Sequence, residues 1–201
     1  MTPTQPDADD ILSFWFDEAG PKKWYNASPA FDAVARRRFH AAVEREAAVL
    51  GKGRHPWQDN AEGAFALIVL LDQFPRNIWR GSNKAFAFDP LALEVARWMI
   101  ERGFDWAIPD ARRAFVYMPF MHSEVLADQE LCIAYAEERL SDPSTARHAR
   151  LHRDVIVKFG RFPYRNKALG RTTTEAEQVY LDSGGYAPGR IDSAKTSGGQ
   201  G

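Results

Sequence analysis

The sequence predicts an all-α protein, about eight helices stacked as antiparallel hairpins in one domain, and three observations carry the prediction. Apolar residues recur at helical spacing along nearly the whole chain. No stretch alternates apolar and polar residues between hairpin turns. Stop and start residues follow one another closely, so the loops are short, and short loops favour antiparallel neighbours. With 201 residues, 45% of them hydrophobic and 12% aromatic, the chain has material for a single core.

The first helix is expected from about Asp9 to Glu18, with Phe14, Trp15 and Phe16 facing inward and Gly20-Pro21 stopping it. In the second, Ser28 is placed to accept a free backbone N–H as N-cap, Pro29 fits the first helical position, and Gly51 suits a left-handed residue after Leu50. The third, from about Asp59 to Gln73, is apolar nearly all round between Phe65 and Leu71, as a helix covered on several sides must be. It is the expected spine of the core. Asp89 and Pro90 form an N-cap and first-position pair for a fourth helix ending near Gly103. A fifth opens at Pro109-Asp110 and is interrupted by Pro119.

Two more are expected over Glu124 to Leu140 and Pro143 to Phe159. A last one starts at TTTEAEQ, where Thr172 with Glu175 or Thr174 with Glu177 spells a capping box, and closes at Gly184-Gly185. The domain therefore spans 9–185. Residues 1–8 are expected to be flexible, and the small, polar, Gly-rich stretch 186–201 disordered.

A formal net charge of −1 gives no global field for nucleic acid or an anionic membrane. The single cysteine, Cys132, excludes an intramolecular disulfide and a multi-cysteine metal site, and it sits on an apolar helical stripe as a buried thiol would. MTPTQPDADD has neither a basic nor an apolar leader region, and the longest apolar run, AFALIVLL, is far below a membrane span. The chain reads as soluble and cytoplasmic.

Two phrases concentrate the polar chemistry. IVLLDQFPRN (68–77) and VIVKFGRFPYRN (155–166) each run an apolar helix into Phe-Pro, then Arg and Asn. Proline cannot donate and pushes the residue before it out of the helical region, so Phe74 and Phe162 are expected to be extended. Two readings follow. In one, Arg76, Asn77, Arg165 and Asn166 are donors that satisfy the orphan carbonyls of the stopped helices. In the other, they belong to a ligand site. Asp72, next to the apolar run, needs a cation because burying a carboxylate alone costs several kcal/mol. If Arg76, Arg161 and Arg165 together outnumber nearby acids, the remaining guanidinium forks suit phosphate or carboxylate.

His122 and Glu124 are two apart, about 200° around a continuous helix, so they share a site only if Pro119 makes the backbone irregular. Glu124 could then orient His122 or act beside it as general acid or base. Otherwise His122 is a satisfied histidine near a helix start. His148 and His152 are four apart on one face, a spacing open to a metal pair, but no third ligand is evident and His152 shares its face with apolar residues. No metal and no cofactor is expected, and no phosphate-binding glycine loop or nucleophile elbow occurs.

LLDQFPRNIWRG, YMPFMHSE, ADQ at 127–129, and FGRFPYRNKALGR followed by TTTEAE resemble, in that order, the bacterial family DUF924, a domain of unknown function; the resemblance runs from Ile11 to Gly185. It implies an all-helical, tetratricopeptide-like fold and carries no activity, substrate or cofactor. Its matched polar residues include Asp72, Gln73, Arg76, Asn77, His122, Glu124, Gln129, His152, Arg161, Arg165, Asn166 and Arg171. Tyr164 stands where the family often has His.

Two functions are consistent with these residues. The first is a polar pocket for a small anionic molecule, with Asp72, Arg76, Asn77, Arg161, Arg165 and Asn166 binding, His122 and Glu124 as acid and base, and hydrolase or transferase chemistry. The second is a tetratricopeptide-like module holding a peptide or protein in a helical groove, with Trp24, Tyr25, Trp57, Trp79 and Trp106 as candidate contacts.

Overall fold

In the computed structural model of the protein, residues 5–24 and 28–186 are described. They contain no strand and ten α-helical segments: α1 (Ala8–Ser13), α2 (Pro21–Trp24), α3 (Pro29–Leu50), α4 (Ala61–Asp72), α5 (Phe74–Ile78), α6 (Asp89–Glu101), α7 (Asp110–His122), α8 (Leu126–Arg139), α9 (Ser144–Phe159) and α10 (Glu175–Asp182). Eight of these are the expected helices. The other two, α2 and α5, are short turns that form where stops were expected.

The chain opens one residue early because Asp7 and Asp10 form a capping box, each side chain accepting the other's backbone N–H at 3.0 and 3.1 Å. Past Ser13 the helix widens into a π-helix, Phe14–Ala19, which buries all three aromatics before Gly20 turns the chain at φ 65°. Pro21 then starts α2, where its missing N–H would be unpaired anyway. Ser28 caps α3 as expected. Gly51 stays right-handed at φ −63°, however, and the positive-φ residue is Gly53, two positions on.

α4 is the core spine. Every residue from Gly63 to Asp72 is buried, and α1, α3, α6 and α7 pack around it. Phe14, Trp15, Phe39, Phe74 and Phe115 fill the space beside it as a connected aromatic cluster. Trp24, Trp57 and Trp79 rest half-buried against this core, whereas Trp106 is exposed beneath Arg113 and Arg139. Tyr25 lies outside the described residues.

Pro119 does not interrupt α7. The helix continues to His122 with Pro119 buried inside it, and the chain leaves the helical region at Ser123 (φ −69°, ψ 143°). The carbonyls freed at this end have a partner, because Gln129 of α8 donates to the oxygens of Met121 and Ser123 at 2.7 and 2.6 Å. Short loops then return the chain through α8 and α9, which pack side by side with α7. A second, smaller core of Val155, Ile156 and Phe162, covered by Phe159, Tyr164, Tyr180 and Tyr186, lies below α9. No described helix is long and apolar enough to cross a membrane.

Candidate functional site

The two Phe-Pro phrases are built differently. In the first, Gln73 remains helical (φ −94°, ψ −48°), Phe74 opens α5, and Pro75 occupies its first turn, so the chain bends without becoming extended. The expected extension occurs only in the second, where Gly160 is left-handed, Phe162 is extended (φ −91°, ψ 107°) and Pro163–Arg165 form a 3₁₀ turn. Both phrases nevertheless end at the same place.

Asp72 closes α4 with no exposed surface, at the helix end where the backbone dipole disfavours a carboxylate. Three side chains compensate. His122 Nδ1 lies 2.7 Å from its Oδ1, Arg76 Nη2 lies 3.0 Å from the same oxygen, and the Gln73 amide donates to Oδ2. Burial, the strongest influence, opposes ionisation; the attraction of His122 and of the Arg76 charge, with the hydrogen bonds from His122 and Gln73, outweighs it and holds the carboxyl well below the usual range. Because Asp72 can only accept, the His122 proton sits on Nδ1. Its Nε2 makes no hydrogen bond among the described residues, and the side chain keeps 13% of its surface open to solvent. Burial and the neighbouring Arg76 charge lower the His122 pKa, so the ring is neutral at pH 7 and carries a free lone pair.

Asp89 joins the two phrases. Expected as the N-cap of α6, it is instead the first helical residue after Phe88. Its Oδ1 accepts from Arg76 at 3.0 Å, and its Oδ2 lies 3.5 Å from Arg165 Nη1. Burial raises its pKa. Arg165 is itself buried: Nη2 donates to the His122 carbonyl at 3.0 Å, Nε donates to the Tyr164 hydroxyl at 3.2 Å, and the guanidinium lies over Phe86 and Phe162. Arg165 thus meets a helix-end carbonyl, but that of α7 and not of α9, the helix its own phrase was expected to cap. Arg76 goes to carboxylates instead, and its buried Nε has no partner.

The other expected residues lie in neighbouring polar clusters. Asn77 donates to Asp32 at 3.0 Å, tying α5 to α3. Arg161 grips Glu177 at 2.6 and 2.8 Å, and Asn166 donates to the same carboxylate at 3.2 Å, which locks the second phrase to the start of α10. Arg161 lowers the Glu177 pKa to about 2. Glu124 accepts the Phe162 N–H at 2.9 Å and both arms of Arg171 at 2.9 and 2.8 Å; against its burial, these bonds lower its pKa. The structure does not bring Glu124 to the His122 ring. Nor do guanidiniums outnumber acids: Arg76 and Arg165 face Asp72 and Asp89, and the cluster is formally neutral.

His152 is the residue that sequence reasoning set aside. On α9, its ring centroid lies 6.3 Å from that of His122. Its Nδ1 lies 2.9 Å from the His148 carbonyl, which can only accept, so Nε2 is again a lone pair; it is buried without a partner. Burial pushes its pKa down to about 3. The sequence shows its apolar face and its four-residue spacing from His148, but not its approach to His122. Among the described residues no group of three or more His, Cys, Asp or Glu side chains is placed to hold a metal ion.

An all-helical protein with an Asp–His–Arg cluster where two cores meet is the class that fold and site define. The chain belongs to DUF924, described as bacterial protein of unknown function, whose pattern matches residues 11–185. It is similar to a solved structure of a protein of unknown function from Agrobacterium tumefaciens, at 40% identity and a TM-score of 0.79 over 88% of this chain and 97% of that one. No curated protein matches it.

Proposed function

We propose that the protein binds a small phosphate- or carboxylate-bearing molecule beside Arg76 and that His122 acts on it as a general base, in hydrolase or transferase chemistry. The Asp72–His122 pair carries this reading. A fully buried carboxylate 2.7 Å from Nδ1 fixes the tautomer that leaves Nε2 as acceptor, and depressed basicity keeps that acceptor unprotonated at neutral pH. Arg76 supplies the anion donor, since only its Nη2 is engaged and its Nε is unpaired. Arg165 and Asp89 hold Arg76 in place, while Arg161, Asn166, Asn77 and Glu124 fix the surrounding loops. A lone, buried cysteine supports a cytoplasmic setting.

The test is binding by calorimetry against phosphorylated and carboxylated metabolites. Arg76→Ala is expected to abolish each hit, and His122→Asn to keep binding while losing turnover. An Arg76→Ala protein that binds normally but melts lower overturns the reading. A second reading, a tetratricopeptide-like module seating a peptide, is favoured by the exposed Val125, Leu126 and Leu151 on α8, its entry and α9. Peptide capture that survives Arg76→Ala and is lost in Leu151→Glu supports it.

A further inference from the structure

A ring of polar contacts begins and ends at His122. Its Nδ1 meets Asp72 at 2.7 Å, Arg76 bridges Asp72 and Asp89 at 3.0 Å to each, Asp89 lies 3.5 Å from Arg165, and Arg165 donates to the His122 carbonyl at 3.0 Å. Two carboxylates balance two guanidiniums and the imidazole is neutral, so the ring holds no spare positive charge. The inference rests on the reading that an anion binds beside Arg76. Such a ligand either leaves a net negative charge in a largely buried cluster, which is costly, or is accompanied by a proton.

The contacts decide which group takes that proton. Arg76 holds both carboxylates through Nη2 alone, and its other nitrogens have no hydrogen-bond partner among the described residues. Those nitrogens are one carbon away from Nη2, so an anion on either lies within about 8 Å of the Asp89 oxygen on the same guanidinium. That is closer than the screening length of about 10 Å at about 0.1 M salt. Asp72 is the poorer acceptor: it has no exposed surface, three side chains contact it, and they keep it ionised. His122 joins Arg76 only through Asp72, one step further from the added charge.

Asp89 has one good partner, a second at 3.5 Å, and 15% of its side chain open to solvent. Burial already raises its pKa, against the attraction of Arg76 and Arg165. The charges and titratable groups that face it are Arg76 on α5, Asp72 on α4, Arg165 after α9 and His122 on α7, and an added anion acts in the same direction as Asp72. Only the start of α6 opposes it, and a helix end carries about half a charge against the full charge of a ligand.

We propose that Asp89 gates the anion site: when a ligand takes Arg76, Asp89 accepts one proton from solvent, so binding tightens as pH falls. Asp89 is then a positioning residue, which holds Arg76 until a ligand arrives and touches no reacting atom.

The probe is sulfate, whose charge is constant from about pH 8 to about pH 5, so any pH dependence of its binding belongs to the protein. Calorimetry of the full chain in two buffers of different ionisation enthalpy is expected to show one proton taken up per sulfate. Affinity is expected to rise about tenfold per pH unit where that uptake is complete. The side-chain ¹³C carboxyl resonance of Asp89 is expected to move to the position of a protonated acid on binding. In Asp89→Asn the uptake is lost, and binding becomes level with pH at the tighter, acidic value of wild type. Sulfate binding without proton uptake overturns the role of Asp89 and leaves the anion site standing. Uptake with the Asp89 resonance unmoved overturns it too, and assigns the proton to another group. Absence of sulfate binding at every pH overturns the anion site itself. The proton count and the resonance are read in the unmodified protein, so a poorly folded Asp89→Asn leaves these outcomes decisive.

Discussion

His122 Nδ1 stands 2.7 Å from Asp72 Oδ1 although the two residues are 50 apart in sequence, so the end of α7 meets the end of α4 there. Asp72 is fully buried at the negative end of α4, a position that penalises a carboxylate twice. His122, at the end of α7, brings the donor that Arg76 alone cannot, and receives in return a fixed ring orientation. Packing of α4 against α7 thus sets the chemistry of the site.

Removing the acid leaves Arg76 and His122 facing an unbalanced buried cluster. Asp72→Ala is therefore expected to lower unfolding free energy by about 3–5 kcal/mol in urea titrations. Asp72→Asn, which keeps the volume, is expected to lose less and to release His122 from the Nδ1-protonated tautomer, read in long-range ¹H–¹⁵N spectra. An unchanged tautomer in that variant contradicts the assigned role of Asp72.

The histidines also predict how stability depends on pH. Both His122 and His152 are less basic folded than unfolded, so below about pH 6.5 the unfolded chain binds more protons and folding stability falls with pH. For His152 the loss begins near pH 6.5 and is complete near its folded value of about 3. It amounts to at most about 5 kcal/mol. His152→Gln is expected to flatten the denaturation midpoint between pH 6 and 4. A wild-type midpoint that is level across this interval would count against the burial of a neutral ring there.

Much of the fold was legible because it is local. Capping residues and the all-round apolar run of α4 are read within one helix, and they put the longer helices close to their observed ends, except that α1 passes into a π-helix at Phe14. The misplacements were local choices overridden by packing. Pro119 is tolerated because α7 is buried around it, and Asp89 gives up its cap role for two guanidiniums. At the site, Asp72 could be seen to need a cation, since an acid after LIVLL must be paired. Which cation, and which acid answers each arginine, depends on how α6, α7 and α10 dock. Arg161 therefore looked equivalent to Arg165 in sequence, yet it faces Glu177 while Arg165 faces Asp89.

That difference is testable. Arg161→Ala is expected to free Glu177, loosening α10 so that amide exchange at 175–182 accelerates, while anion binding at Arg76 is unchanged. The Glu177 pKa of about 2 means its contribution is present at neutral pH and is lost as pH falls from about 4.5 toward 2. Loss of ligand binding in Arg161→Ala with α10 protection intact would move Arg161 into the site.

The tightest steric constraint lies at the other end of α4. Gly63 sits in the first turn, beside the 3₁₀ turn Pro56–Asp59, and a methyl group there would meet the Trp57 carbonyl oxygen at 2.2 Å, with further backbone atoms at 3.0 and 3.1 Å. Backbone cannot move aside as a side-chain end can, and the His55–Glu46 bond of 2.8 Å anchors the turn to α3. Gly63→Ala must therefore push α4 or break that anchor. Its higher helix propensity, worth about 1 kcal/mol, acts in the opposite direction. Overpacking costs about 1–3 kcal/mol and is expected to win, lowering the melting temperature by several degrees. Since α4 also carries Asp72 at its far end, a shift along the helix is expected to weaken the His122 contact too, so the variant's His122 Nδ1–H signal should broaden. A Gly63→Ala protein as stable as wild type, with that signal intact, would show that α4 has room the close approach denies it.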